Sequence, residues 1–362
     1  MSPSSANQKK FSPDGLPTLI GSLPLQSHAK ALELIFRYTE AIPLWPQLPC
    51  RPEERMLYQF MEGIPGLEQK DDRLFFNTAS EAFQTELLEF FEEYLAITET
   101  GKDLLSSRFA VSRNRAPGLY LLLEKSATME KVALKGQTTG PFTLLVGLTD
   151  QQQRLAYYDD SLREMLVKGV AMKAAWQTLF LKQAAQTVIL FLDEPALAGL
   201  GSSSFISIDK DDIAAHLNEV IAAIHQAKGL AGIHVCANTD WNMVLDLDLD
   251  IISFDAYGFF DRFITCKKAV TGYLNKGGII AWGGIPTSNI EAIEKESIES
   301  LVALWEDHMH QLESPGFSVR DLLHQTLITP SCGTGSMAPE PASKVLELCS
   351  GVAATLRRKY LH

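Results

Sequence analysis

The sequence predicts an α/β protein, a (β/α)8 TIM barrel with an insertion between its second and third strands. Eight short apolar, β-branched runs alternate with longer helical patterns along the 362 residues. Eight parallel strands, each followed by a helix, are the number that closes such a barrel. No glycine-rich phosphate fingerprint follows any of these runs, and its absence disfavours the alternative of a doubly wound open sheet.

The eight predicted strands share short length and apolar character on both faces, as strands of a covered parallel sheet do. They are residues 18–22, 41–46, 131–137, 187–195, 232–237, 250–256, 278–284 and 326–332. Between them, apolar residues at helical spacing predict amphipathic helices over 211–229, 297–312 and 342–360.

The second and third runs are too far apart for a single connecting helix. We therefore predict an insertion at about residues 50–128, with helical patterns at 78–97 and 118–124 and room for a hairpin. The rest of residues 16–362 is predicted to be one catalytic barrel domain. Residues 1–15, which are polar and contain no apolar run, are predicted to be a disordered N-terminal lead.

Composition excludes several classes of function. The net charge of −12 argues against nucleic acid or an anionic membrane as the main partner. No run approaches the roughly 18 apolar residues of a membrane-spanning helix, and the N-terminus has no apolar signal region. Five cysteines, an odd and low number, indicate a reducing compartment, so we expect a cytoplasmic location.

Potential metal ligands lie at the carboxyl ends of the predicted strands, where barrel enzymes carry their chemistry. His234 and Cys236 are two residues apart on one strand, so their side chains project to the same face. Cys332 follows the eighth strand and Asp255 the sixth. Imidazole and thiolate ligands are the set that zinc prefers, and three firm ligands leave a position open for a substrate. The alternative is that both cysteines are small buried thiols, which free cysteines usually are.

At these residues the chain resembles a known superfamily. That superfamily comprises cobalamin-independent methionine synthase, the uroporphyrinogen decarboxylases and the methylcobalamin:thiol methyltransferases. The resemblance extends from about Thr18 to the C-terminus. The segments that carry it are TLIGSLP (18–24), QTTGPFTLL (137–145), LDEPAL (192–197), HVC (234–236), DLDIISFD (248–255) and PSCG (330–333).

The resemblance implies zinc at His234, Cys236 and Cys332, with Asp255 where methionine synthase has a glutamate ligand. It also implies an acceptor site for a small-molecule thiol, with homocysteine as the leading candidate. The residues that would hold its amino-acid end are Ile20, Gly21, Ser22 and Asp193, the last paired with the ammonium group. A second acidic contact would correspond to Glu53 or Glu54. For Glu194 we favour a supporting role, either behind the residues that contact the substrate or as a helix-capping carboxylate.

Two departures from methionine synthase bear on the methyl donor. The tryptophan that stacks on folate has no counterpart after the TGP segment, and the arginine-rich folate loop is also missing. We therefore expect a methylated corrinoid, presented by a corrinoid protein, to be the donor. Alternatives remain open: methyltetrahydrofolate as donor, a coenzyme M-type thiol as acceptor, a metal-free lyase like the uroporphyrinogen decarboxylases, or a zinc-binding barrel without catalysis.

Three further side chains allow two interpretations. Trp45 and Trp282 lie at predicted strand ends, where each could wall the substrate pocket or pack in the core. His308 lies on a predicted helix and is expected to be solvated.

Overall fold

The computed structural model describes residues 11–71, 73–200, 205, 207–314 and 317–362, which form an α/β protein. Its strands within these residues are β1 (Leu67–Lys70), β2 (Arg73–Phe76), β3 (Leu134–Thr139), β4 (Thr149–Asp150), β5 (Val188–Asp193), β6 (Leu230–Val235), β7 (Ile251–Phe254), β8 (Ile279–Ile285) and β9 (Thr326–Pro330).

Helices alternate with these strands along the chain. In the described part they are α1 (His28–Tyr38), α2 (Phe83–Thr100), α3 (Pro117–Ser126), α4 (Pro141–Gly147), α5 (Asp160–Leu181), α6 (Lys210–Gln226), α7 (Trp241–Asp246), α8 (Ala256–Phe263), α9 (Lys267–Asn275), α10 (Ile290–Lys295), α11 (Ile298–Leu312), α12 (Val319–His324) and α13 (Pro339–Tyr360). No helix among the described residues is both long and apolar enough to cross a membrane.

The main sheet contains six parallel strands in the order β3-β5-β6-β7-β8-β9. Nearly all of its residues are buried, because helices cover one face and the curled sheet encloses the other. The register brings the carboxyl ends of neighbouring strands level: Thr139 lies opposite Asp193, and Asp193 lies opposite His234. Side chains that are remote in sequence therefore meet at one edge of the sheet.

The first two predicted strands, 18–22 and 41–46, are not regular strands, which corrects that part of the prediction. They make only the isolated parallel bridges Pro17–Ile328, Ser22–Gln47 and Leu44–Lys135. Prolines explain the interruption of the run 41–46, since Pro43 and Pro46 have no N–H to donate to a ladder.

Both segments nevertheless lie beside strands. Thr18 N donates to Ile328 O at 3.0 Å, and Leu23 N donates to Gln47 O at 3.0 Å. Lys135 N donates to Pro43 O at 2.9 Å. Residues 15–23 thus lie next to β9, and residues 41–47 lie between them and β3.

The long connection before β3 contains helices and a hairpin. Strands β1 and β2 pair in antiparallel fashion, and β2 pairs with β4 to form a second, three-stranded sheet. Helix α2 covers most of the predicted segment 78–97. Residues 118–124 lie in α3, which begins at Pro117, a residue whose fixed φ suits the first turn.

The predicted N-terminal lead is described only from residue 11, and its first ten residues lie outside the described part. Two described residues of the lead form hydrogen bonds with residues at the end of α12 and the start of β9. Asp14 Oδ1 lies 2.7 Å from His324 Nδ1, and Gly15 N donates to Thr326 O at 2.9 Å.

Candidate functional site

A cavity of about 240 Å³ opens at the carboxyl edge of the main sheet. Six of the eight predicted site residues line it: Ile20, Ser22, Asp193, His234, Cys236 and Cys332. They come from the first segment, which comprises residues 15–23, and from positions at or just after the ends of β5, β6 and β9. The convergence follows from the parallel topology, which directs every strand's carboxyl end to the same rim.

His234 is near the end of β6, and only 4% of its surface is exposed. Its Nδ1 lies 3.0 Å from Ser253 Oγ on the neighbouring strand β7, while its buried Nε2 has no hydrogen-bond partner. Burial lowers the pKa of His234 to about 3, so the imidazole is neutral at pH 7. When Nδ1–H donates to Ser253, Nε2 presents its lone pair, the arrangement found in histidines that bind metals.

The thiols of Cys236 and Cys332 line the same cavity, the first just after β6 and the second in the loop after β9. The Cys332 thiol lowers the pKa of Cys236 to about 7, while Cys236 and burial raise the pKa of Cys332. The opposite directions belong together, because a thiol at Cys332 would stabilise a thiolate at Cys236 and would then hold its own proton more tightly. Of the two thiols, Cys236 is the one whose lowered pKa favours the thiolate, the form that acts as a nucleophile and as a metal ligand.

The predicted ligands have the chemical types of side chain that zinc binds. An unpartnered imidazole nitrogen and two sulfurs share one cavity, and this set suits zinc. With the side chains as they stand, no three His, Cys, Asp or Glu residues of the described chain are close enough to hold one metal ion. Zinc binding would require His234, Cys236 and Cys332 to lie closer together.

Asp255 is placed differently from the other predicted ligands. It is the N-cap of α8, where Oδ1 accepts a hydrogen bond from Gly258 N at 2.8 Å. It is not among the residues that line the cavity. Burial raises its pKa to about 6, and its charge acts on the nearby Cys236 thiol. Asp255 therefore has a helix-capping role in this structure and influences the thiols electrostatically.

Asp193 ends β5, and 8% of its surface is exposed. Its Oδ1 is buried and has no hydrogen-bond partner, so it can accept a donor from a bound molecule. Burial raises the pKa of Asp193 to about 7, and the charge of Lys135 opposes that rise.

Lys135 is a buried cation that the sequence interpretation missed. Its Nζ donates to Ile20 O at 2.7 Å and lies 4.3 Å from the centre of the Phe191 ring. It ties the first segment to the interior of the sheet beneath Asp193. The signal that could have identified it is a lysine that directly follows the apolar residues VAL (132–134) within a predicted buried strand.

Gly21 and Ser22 form a narrow turn beside the cavity. A Cβ on Gly21 would lie 2.6 Å from Gln47 Oε1 and 3.0 Å from the Gln137 amide, so only glycine fits without displacement. Ser22 Oγ accepts a hydrogen bond from Gly335 N at 3.2 Å, which links this turn to the loop carrying Cys332.

Of the two glutamates considered as a second acidic contact, Glu53 does not line the cavity, and Glu54 is already bonded within the protein. Glu54 lines the cavity, but its carboxylate accepts from Leu48 N at 2.9 Å and lies 2.8 Å from His28 Nε2. Trp45 and Trp282 are fully buried and bonded internally, to Gln177 and His308 respectively, so the core interpretation holds for both.

Comparisons with known proteins give little further guidance. No family model matches the chain, and no curated protein matches it. One solved structure that is similar is a B12-independent methionine synthase from Shewanella sp. W3-18-1 in complex with selenomethionine. The two share 15% identity with a TM-score of 0.47, over 66% of this chain and 67% of that one. Because a likeness of this size supports no argument about activity, function has to be inferred from the side chains of the cavity.

Proposed function

We propose that this protein is a zinc-dependent methyltransferase that activates a small thiol, homocysteine in the leading case, for attack on a methylated corrinoid. The observation that carries the proposal is the content of one cavity. It holds two thiols, an imidazole nitrogen without a partner and a buried carboxylate oxygen without a partner.

Zinc, when bound, would supply Lewis acidity that lowers the pKa of a thiol ligand. His234, Cys236 and Cys332 would hold it. Asp193 would accept hydrogen bonds from the ammonium group of the acceptor and fix its orientation. A methylated corrinoid would supply the methyl group and would keep the electron pair of the broken methyl–cobalt bond. The acceptor sulfur would form the new bond to the methyl carbon, and its proton would go to solvent.

The size of the cavity favours separate places for acceptor and donor. Its volume of about 240 Å³ is below the range of about 300–1,000 Å³ typical for larger ligands. A small thiol amino acid fits inside, whereas a corrin or a folate would have to approach at the mouth. This arrangement supports a donor presented from outside, for example by a corrinoid protein.

The proposal also covers the closure of the barrel and the location of the protein in the cell. We propose that residues 15–23 and 41–47 complete a closed eight-stranded barrel, and their backbone bonds to β9 and β3 support it. We propose a cytoplasmic location, which the free state of all five cysteines supports.

An assay of methyl transfer with zinc-loaded protein tests the function. We expect methylcobalamin to methylate homocysteine, and methyltetrahydrofolate to give no turnover. Methylation of a mercaptosulfonate in place of homocysteine would instead identify a coenzyme M-type enzyme. Absence of turnover with every donor and acceptor would contradict the proposal and favour a lyase or a non-catalytic zinc-binding barrel.

A further inference from the structure

Arg55 lines the same cavity as Asp193 and the two thiols. Its side chain is exposed, and within the described chain its guanidinium makes no hydrogen bond or ion pair. In a protein of net charge −12, an arginine without an acidic partner at a cavity is an available anion-binding group.

The backbone around Arg55 is well anchored. Arg55 N donates to Pro52 O at 3.2 Å, and Arg55 O accepts from Tyr58 N and Gln59 N at 2.9 and 3.0 Å. The next residue, Met56, accepts a hydrogen bond from Thr139 Oγ1 at 2.8 Å. This bond fastens the loop to the end of β3, so Arg55 is presented to the cavity from a fixed position.

The adjacent carboxylate does not neutralise Arg55. Glu54 is buried, and its oxygens are occupied by His28, Leu48 N and the ion pair with Arg51 at 2.9 Å. The positive charge of Arg55 therefore remains available on one side of the cavity, while the unpartnered Oδ1 of Asp193 offers negative charge deeper inside.

We infer that Arg55 binds the carboxylate of the acceptor, making it a specificity residue for a zwitterionic thiol amino acid. The inference rests on the proposed function and narrows its substrate class. The cavity would bind three groups of one small molecule: the sulfur near the cysteines, the ammonium at Asp193 and the carboxylate at Arg55. A sulfonate thiol would also satisfy Arg55, but it would leave the carboxylate of Asp193 without a partner.

Truncated substrates separate these contacts. Homocysteine has all three groups, 3-aminopropanethiol lacks the carboxylate, and 4-mercaptobutanoate lacks the ammonium. Binding of each to zinc-loaded protein would be measured by calorimetry, for wild type, Arg55→Gln, Arg55→Lys and a control, Arg113→Gln. Arg113 is an exposed arginine of the insertion, paired with Glu124 away from the cavity.

We expect Arg55→Gln to weaken homocysteine and 4-mercaptobutanoate by about 10- to 100-fold, the usual effect of losing a charge-assisted hydrogen bond. Binding of 3-aminopropanethiol should stay within about twofold of wild type, because that thiol has no carboxylate to lose. Arg55→Lys should recover part of the loss, and Arg113→Gln should match wild type with all three thiols.

Two results would overturn the inference while leaving the proposed function intact. One is equal weakening of homocysteine and 3-aminopropanethiol by Arg55→Gln. The other is unchanged homocysteine binding together with a raised KM for methylcobalamin, which would place Arg55 against the donor. Failure of wild-type protein to bind any of the three thiols would overturn the proposed function, and the inference with it.

Discussion

Glu194 shows how a single buried side chain supports the candidate site. The residue is fully buried, and its carboxylate accepts hydrogen bonds from Phe142 N at 2.9 Å, Thr143 N at 2.8 Å and Thr143 Oγ1 at 2.5 Å. These bonds join the end of β5 to the start of α4, in agreement with the predicted capping role. They hold the backbone next to Asp193, so Glu194 positions the residue expected to contact the substrate.

Replacing Glu194 with alanine should lower the free energy of unfolding by about 2–4 kcal/mol, because three buried donors lose their acceptor. Urea denaturation followed by circular dichroism would measure the change. Glu164→Ala, an exposed position on α5, is a suitable control and should change stability by less than about 0.5 kcal/mol. Equal effects of the two substitutions would contradict this account of Glu194.

Single residues also mark where sequence reasoning failed. His308 was expected to be solvated, but it is buried, accepts a hydrogen bond from Trp282 Nε1 at 3.0 Å and stacks on Phe260. It follows Trp305 by three positions on α11, so the helical spacing could have placed it inside. Lys135 and Arg55 were missed for a related reason. The environment of a charged side chain depends on tertiary neighbours that the local sequence does not contain.

At the level of elements, the loop after β9 is fitted closely against the first segment. Thr334 N donates to Ser22 O at 3.0 Å, and a Cβ on Gly333 would lie 2.2 Å from Ser22 Oγ. Glycine at 333 therefore lets the loop that carries Cys332 approach the turn that contains Ser22. This contact couples a predicted zinc ligand to the predicted acceptor site.

Gly333→Ala should displace Ser22 Oγ and break its hydrogen bond with Gly335 N. We expect homocysteine to bind about 3- to 10-fold more weakly, the scale of one lost hydrogen bond, while the fold is retained. Calorimetry with zinc-loaded protein would measure this. The control is Gly272→Ala in α9, where no atom lies within 4 Å of the added Cβ. If Gly333→Ala binds homocysteine as tightly as wild type, the proposed coupling is wrong.

Regular strands were the most predictable elements. Six of the eight apolar runs became β3, β5, β6, β7, β8 and β9, because uninterrupted β-branched runs leave few alternatives once both faces are covered. The run 41–46 failed to do so because Pro43 and Pro46 prevent a continuous ladder.

At the scale of the whole molecule, parallel topology made the general place of the site predictable. Aligned strand ends bring Asp193, His234, Cys236 and Cys332 to one cavity although they are up to 139 positions apart. The sequence could not give the finer geometry, since side-chain rotation decides whether the three predicted zinc ligands are within bonding distance. Asp255 is an example: the sequence correctly placed the residue after β7, but it did not show that the carboxylate caps α8.

Zinc content is the measurement that tests the central claim most directly. Purified protein would be dialysed with excess zinc and analysed by elemental mass spectrometry. The variants compared are wild type and Cys332→Ser, and the control is Cys50→Ser, which changes an exposed thiol. We predict stoichiometric zinc in wild type and Cys50→Ser, and loss of most of it in Cys332→Ser, because one of the three proposed ligands is gone. Full zinc occupancy in Cys332→Ser, or none in wild type, would contradict the account.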